Sequence, residues 1–442
     1  MVLISTYELG RQPFGLASPA AWLRGEGHQV VCADVSRAPL TQAAIAEAEL
    51  IAFFLPMHTA TRLALRVIER VRALNPAAAL CAYGLYAPLS ETRLRQAGVS
   101  HFIGGEFEQP LADLCQRLDG ARSAEPSRRV ALERQRFRVP DRSGLPPLAS
   151  YARLAMNGAT KTVGYTEASR GCKHLCRHCP VAPVYRGRFR VVQAEVVLED
   201  IRRQVAAGAR HITFGDPDFF NGPAHAIRLA EALHREWPDL TYDATIQIEH
   251  LLAHRDLLPR LRATGCLFVT SAVESLDDAV LARLAKGHTR ADFLEALGIA
   301  RAAGLALAPT FIPFHPWTTL AGYQDFLAQV AEFGLIDSVA PIQLAIRLLI
   351  PDGSLLLDLP EIRQRVDVFD PRSLAYPWRS DDPALDRLQS GIQALIRTEE
   401  RRHAPRIDIF RMIWSAAQTR EFPEIPLAAR ATIPYLTEPW YC

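Results

Sequence analysis

Ser169-Arg170-Gly171-Cys172-Lys173-His174-Leu175-Cys176-Arg177-His178-Cys179-Pro180 sets three cysteines at the spacing C-x3-C-x2-C. Three thiolates in one short loop can hold three irons of a cubane iron–sulfur cluster and leave the fourth open, whereas four-cysteine ferredoxin patterns close every iron and only pass electrons. An open iron can bind a substrate or cofactor directly, so the spacing points to catalysis. A zinc site recruiting His174 or His178 is the alternative, because Cys3His is a common structural set. Disulfides fit poorly: Cys32, Cys81, Cys115, Cys266 and Cys442 are scattered, and no secretory leader is read at the amino terminus.

Outward from the loop the pattern is regular. A strand is predicted over Lys161–Glu167, feeding the cysteines, and further strands over His211–Gly215, Tyr242–Ile248, Leu267–Ala272, Ala306–Ile312 and Ser338–Leu344. Helical periodicity separates them at Ala194–Ala207, Pro223–Arg235, Arg255–Thr264, Ala291–Ala303 and Leu320–Phe333. Six β/α units in series predict a partial (β/α)6 barrel over residues 161–368, whose ligands would collect at the carboxyl ends of the strands. Residues 369–442 read as a mainly helical tail with proline breaks.

With the loop placed after the first strand of such a barrel, the segment resembles the radical S-adenosylmethionine (radical SAM) superfamily. The resemblance implies a [4Fe-4S] cluster on Cys172, Cys176 and Cys179, with S-adenosylmethionine chelated to the open iron through its methionine end. It also implies cofactor contacts elsewhere. Asp216 and Asp218, in Phe214-Gly215-Asp216-Pro217-Asp218-Phe219-Phe220, stand where the family has a Gly-Gly-Glu-like turn that holds the methionine ammonium; an ordinary capped turn is the alternative. Glu274 and Ser275, in Thr270-Ser271-Ala272-Val273-Glu274-Ser275, resemble the Gly-x-Glu-Ser turn that binds the ribose, where one carboxylate can accept from both hydroxyls. Helix capping is the alternative there. Lys286 is implied near the methionine carboxylate, against a plain helix-terminal lysine, and Thr310 and Phe311 lie on the strand that would face adenine through its backbone. Arg347 faces either the cavity or a surface ion pair.

Residues 1–120 alternate short strands and helices, with strands read at Val2–Ser5, His28–Cys32, Leu50–Leu55, Ala79–Tyr83 and His101–Ile103. This predicts a doubly wound, Rossmann-like α/β domain, joined through a linker at 121–160 rich in Arg, Ser and Pro. The domain resembles the cobalamin-binding domain preceding many radical SAM modules. Where that family carries Asp-x-His-x-x-Gly, this chain has Tyr7-Glu8-Leu9-Gly10-Arg11-Gln12 and supplies no histidine. Histidine-ligated cobalamin is therefore not expected; cobalamin without a protein ligand is left open, and a vestigial scaffold is preferred.

The carboxyl end, Ile433-Pro434-Tyr435-Leu436-Thr437-Glu438-Pro439-Trp440-Tyr441-Cys442, resembles a radical SAM subfamily whose members finish in Cys-Cys-Ala-Glu-Pro or Cys-selenocysteine-Ala-Glu-Pro. Read as that tail, the chain stops after the first cysteine, through a selenocysteine codon read as termination or through trimming. A frayed terminus with an incidental thiol is the plain alternative. The subfamily includes a radical SAM enzyme of arsinothricin biosynthesis. That likeness implies transfer of a 3-amino-3-carboxypropyl group to trivalent arsenic, with arsenite held by Cys442 as a catalytic ligand. Soft chalcogens suit such a thiophilic centre. The alternatives are a 5′-deoxyadenosyl radical enzyme, with or without cobalamin, acting on an organic substrate as a methylase or C–C bond former, and a non-catalytic iron–sulfur carrier or sensor.

Bulk properties bound these readings. The chain has 442 residues, 49% of them apolar and 22% charged, with a net charge of +2. That balance argues against nucleic acid or membrane as an obligatory partner. A reducing cytoplasm and a reductant partner such as flavodoxin or ferredoxin are expected.

Overall fold

The computed structural model describes residues 1–120, 127–156, 158–417, 421–423 and 435–437. Its first sheet is built from β1 (Val2–Ser5), β2 (Val31–Asp34), β3 (Leu50–Phe54), β4 (Ala79–Tyr83), β5 (His101–Gly105) and β6 (Ser127–Ala131), in the order β2-β1-β3-β4-β5-β6. Every pairing is parallel. All five residues of β3 are buried, as a central parallel strand covered on both faces must be. The order places β2 and β3 on opposite sides of β1, so β1/β3 is the switch point, where open α/β sheets leave a crevice at their carboxyl ends. The stretch read as a linker contributes two strands: β6 extends the first sheet, and β7 (Arg153–Met156) pairs with the strand that follows it.

The second sheet comprises β7, β8 (Ala159–Thr166), β11 (His211–Phe214), β12 (Thr241–Thr245), β13 (Cys266–Glu274), β14 (Ala306–Phe311) and β15 (Tyr435–Leu436). A separate small hairpin pairs β9 (Ser169–Gly171) with β10 (Phe189–Val191). The large sheet runs β14-β13-β12-β11-β8-β7-β15. Its pairings from β14 to β8 are parallel, and β7 and β15 close the far edge antiparallel. Helices cover the outer face and build the largest core with the strands they follow, from Ile201 and Leu233 to Leu297 and Val330. The result is the expected mixed α/β partial barrel beside a Rossmann-like sheet.

One expected strand is replaced. Ser338–Leu344 forms no sixth parallel strand, and a 3-10 turn occupies Pro341–Leu344. Proline at 341 has no N–H to give a ladder. The Gln343 side chain substitutes for it, its Oε1 accepting from Phe311 N at 3.0 Å. Parallel pairing resumes only as a single bridge between Phe314 and Arg347. The tail region folds as helices Pro383–Arg401 and Arg406–Ala417, packed under the barrel core through Leu385, Ile392, Phe410 and Trp414. Among the described residues no helix is long and apolar enough to cross a membrane.

Candidate iron–sulfur and cofactor site

The cysteine loop hangs between β9 and β10, at the carboxyl end of β8. Gly171 closes β9 with φ of +75°, and a Cβ there would lie 2.3 Å from the Tyr185 ring and 2.4 Å from the Arg188 carbonyl. Only glycine lets the loop turn so tightly. Asn221 fixes the next residue, accepting from Lys173 N at 3.1 Å and donating to Gly171 O at 3.2 Å. Farther along, Arg177 N donates to Leu284 O at 2.9 Å, and its guanidinium donates to Arg283 O at 2.7 Å. The loop is thus tied to β11 on one side and to the helix after β13 on the other.

Cys172 and Cys176 are buried and Cys179 is half-buried, all three unpaired as disulfides. Burial pushes the Cys172 thiol up to about 12 and the Cys179 thiol up to about 11. Bare thiols so placed are inert, whereas a bound metal deprotonates its thiol ligands outright. Three sulfurs in a preformed loop therefore fit a cluster. The compact mononuclear grouping among the described residues is Cys172, His174 and Asp218, with ligand atoms within 4.8 Å of one another, and it omits Cys176 and Cys179. A Cys3His zinc set is not assembled there.

The two aspartates after β11 serve the loop rather than the cavity. Asp216 accepts from Ala168 N at 2.9 Å and from Ser169 Oγ at 2.6 Å, pinning the start of the hairpin. Burial raises its carboxyl to about 7. Asp218 accepts from Phe220 N at 3.0 Å and from His250 Nδ1 at 2.6 Å, with His174 Nε2 3.3 Å away. Burial pushes this carboxyl up, but the His174 and His250 contacts outweigh it and hold it below the usual range.

Glu274, Lys286 and His178 converge beside the cysteines. Glu274 ends β13 at a register shift, with φ of +71°, a left-handed conformation uncommon outside glycine and a mark of functional strain. Its Oε1 lies 3.2 Å from His178 Nε2 and 4.0 Å from Lys286 Nζ. Lys286 is only 3% exposed, which removes the reading of a solvated helix end. Its ammonium donates to Gln247 Oε1 at 3.2 Å, and it favours the thiolate forms of Cys176 and Cys179. Burial works against ionised Glu274, but the His178 hydrogen bond and the nearby cations keep its carboxyl low. His178 Nδ1 is buried without a partner.

Glu274 and His178 open on a cavity of about 310 Å³, also lined by Cys179, Thr310, Phe311, Met57, His58 and Arg347. The other expected residues are engaged as follows. Ser275 turns away into the helix start, its Oγ accepting from Asp277 N at 3.1 Å. Phe311 offers no free N–H, since Gln343 takes it, and its ring is buried against Phe293 and Phe326. Arg347 borders the cavity, yet its guanidinium is bound by Asp386 at 2.6 Å and lies over the Trp378 ring at 3.5 Å. Asp216 and Asp218 do not line it. Cys442 lies outside the described residues.

Sequence reading missed Gln247, Gln343 and His58, which carry no motif, and a buried charge cluster between the two sheets. Arg170, two residues before Cys172, donates to Glu108 at 2.6 and 2.8 Å, to Glu106 at 3.3 Å and to Glu167 at 2.6 Å. Glu106 and Glu108 stand just beyond the end of β5, so acids at a strand end were the available signal. The guanidinium also lies over the Phe107 and Phe137 rings at 4.7 and 5.1 Å. It welds the cluster loop to the first sheet.

Aromatic rings pack at the carboxyl ends of β3, β4 and β5. Phe54, Tyr83 and Phe107 pack with ring centroids 5.2 to 5.7 Å apart, and a Cβ on Gly15 would lie 2.2 Å from the Phe54 ring. Tyr83 OH donates to Gly15 O at 2.8 Å. The loop after β1 presents Glu8 and no imidazole. A histidine-ligated corrinoid with an inserted nucleotide tail does not fit these residues.

Comparison with known proteins places the second sheet. Residues 166–327 match the Radical SAM superfamily model. This stretch is a radical SAM domain. Hopanoid C-3 methylase of Methylococcus capsulatus is 27% identical over 170 residues, covering 38% of this chain and 32% of that protein. The tRNA-2-methylthio-N(6)-dimethylallyladenosine synthase of Desulfosudis oleivorans is 31% identical over 220 residues, covering 46% and 45%. The chain therefore spans less than half the length of these curated relatives. Among solved structures, the cobalamin-dependent S-adenosylmethionine radical enzyme OxsB superposes with a TM-score of 0.72 at 15% identity, covering 90% of this chain and 66% of that one. The radical S-adenosylmethionine methyltransferase TsrM of Kitasatospora setae gives 0.66 at 16% identity, covering 85% and 82%. Both show the shared two-sheet fold.

Proposed function

We propose that the protein is a radical SAM enzyme that holds S-adenosylmethionine in the cavity beside Glu274 and acts on an organic acceptor admitted between the two sheets. The observation that carries this is that strained Glu274, with His178 and buried Lys286 beside its carboxylate, shares one cavity wall with Cys179 of the cysteine loop. A cluster held by Cys172, Cys176 and Cys179 supplies, when bound, the single electron that breaks a carbon–sulfur bond of the sulfonium. Glu274, kept ionised by His178 and Lys286, is suited to accept hydrogen bonds from a ribose diol. Lys286 offers a buried ammonium to a carboxylate. Asp216 and Asp218 hold the loop in register beneath them. OxsB and TsrM are described with cobalamin, for which the loop after β1 here offers no histidine ligand.

A second reading draws on the carboxyl-terminal resemblance alone: transfer of the 3-amino-3-carboxypropyl group to trivalent arsenic, with Cys442 holding arsenite. One experiment separates the readings. The chain is reconstituted anaerobically with iron and sulfide, then reduced with dithionite in the presence of S-adenosylmethionine, with and without arsenite. Release of 5′-deoxyadenosine supports the first reading and arsenite-dependent methylthioadenosine the second. No cleavage with a fully loaded cluster would reject both and leave an electron carrier or sensor.

A further inference from the structure

A second cavity, of about 230 Å³, lies where the carboxyl ends of the two sheets face each other. It sits at the β1/β3 switch point, the position at which open α/β sheets take ligands. The loop after β1 delivers Glu8 to its wall, and the end of β8 delivers Glu167 from across. Glu8 is 7% exposed, and its Oε2 is buried without a hydrogen-bond partner. An unpartnered carboxylate oxygen away from water carries a large desolvation cost, which a ligand donating to it removes.

The local charge balance asks for the same thing. Arg11 and Arg170 line the cavity with Glu8 and Glu167, but Arg170 also serves Glu106 and Glu108 behind it. Arg11 and Arg142 act on Glu8 through space, yet Glu8 Oε2 accepts no hydrogen bond from any guanidinium, so a donor from a ligand finds it open. The remaining walls are apolar, formed by Phe54, Phe107, Leu85 and Met57.

We propose that this cavity binds an organic molecule bearing a protonated nitrogen, which donates to Glu8 while the molecule's apolar body packs on Phe54 and Phe107. Pro56 and Met57 border both this cavity and the one beside Glu274, so the far end of the ligand adjoins the cofactor cavity. Naming the ligand the acceptor substrate rests on the function proposed above; the binding itself does not. Burial, joined by Glu167 and Asp34 and opposed by Arg11 and Arg142, pushes the Glu8 carboxyl well above the carboxylate range. A bound cation reverses that, so binding releases a proton.

The test is isothermal titration of the anaerobically reconstituted full chain with benzylamine hydrochloride and with benzyl alcohol. It is run without dithionite in two buffers of different ionisation enthalpy. Saturable benzylamine binding with proton release is expected, with benzyl alcohol about tenfold weaker or worse. E8Q should weaken benzylamine about tenfold, and L85W, which fills the cavity from the opposite wall, should remove binding of both probes. Equal affinity for amine and alcohol, an unchanged affinity in E8Q, or no saturable benzylamine binding would overturn the proposal. So would hydroxocobalamin displacing the amine. The amine–alcohol contrast is read on the unaltered chain and survives misfolding of either variant. Amine binding without any S-adenosylmethionine cleavage would defeat the proposed function and leave the cavity assignment standing.

Discussion

The two sheets present their carboxyl ends to each other, and they fill those ends in opposite ways. At the mouth of the barrel, Cys179, His178 and Glu274 are left around open space, with strain at Glu274 and an unpartnered His178 nitrogen. At the mouth of the first sheet, aromatic rings narrow the space to a smaller cavity and Arg170 ties Glu106, Glu108 and Glu167 into one buried cluster. One end is arranged to receive a cofactor; the other is arranged largely to hold a loop in place. The same strand-end geometry supports either outcome, and the side chains decide which.

The largest effect should come from the barrel side. Replacing Cys172, Cys176 or Cys179 by Ala should remove iron binding and abolish S-adenosylmethionine cleavage, seen as lost charge-transfer absorbance and no nucleoside release. Survival of a full cluster in any of the three variants would break the contrast between the two ends.

On the other side, R170M should destabilise the chain by about 3–5 kcal/mol, because three buried carboxylates lose their shared cation. Chemical denaturation measures it, and R170K should recover part of the loss, since a point ammonium cannot reproduce the fork to Glu108. A near-neutral R170M would show that the cluster is not the weld described.

Within that cluster, Glu108 takes the close two-pronged contact and stays low, while Glu106, farther from Arg170, is raised by burial from its ordinary 4.5 to about 7. The folded chain therefore keeps a proton that the unfolded chain releases. The stability this supplies is complete below about pH 4.5 and is lost as pH rises through about 7. E106Q cannot ionise, so it should be more stable than the parent at pH 8 by about 2–3 kcal/mol and show a flatter profile between pH 5 and 7. Thermal unfolding across that range checks both statements.

The smallest effect sharpens the barrel side. E274Q keeps the size and one acceptor oxygen but loses the charge, and it should weaken S-adenosylmethionine binding about tenfold while leaving iron content unchanged. Equilibrium dialysis reads the first quantity and a ferrozine assay the second. Unchanged binding would return Glu274 to a purely structural role.

The sequence by itself determined the cysteine loop and the alternation of strand and helix that surrounds it. Both are local: thiol spacing and apolar periodicity act within one turn or one strand. It also pointed to Glu274 and Lys286 through their motif positions. What it did not show depended on contacts across the chain. Asp216 and Asp218 stand at the expected strand end, yet the first binds Ala168 and Ser169, 48 and 47 residues away, and the second meets His250, 32 residues away. Pro341 broke the sixth strand, and Gln343 took its place at Phe311. Burial of Lys286 exists only once the barrel closes around it, and the Arg170 cluster and the unpartnered Glu8 oxygen only once the two sheets meet. Long-range packing decides which polar groups are satisfied, and no stretch of neighbouring residues encodes that by itself.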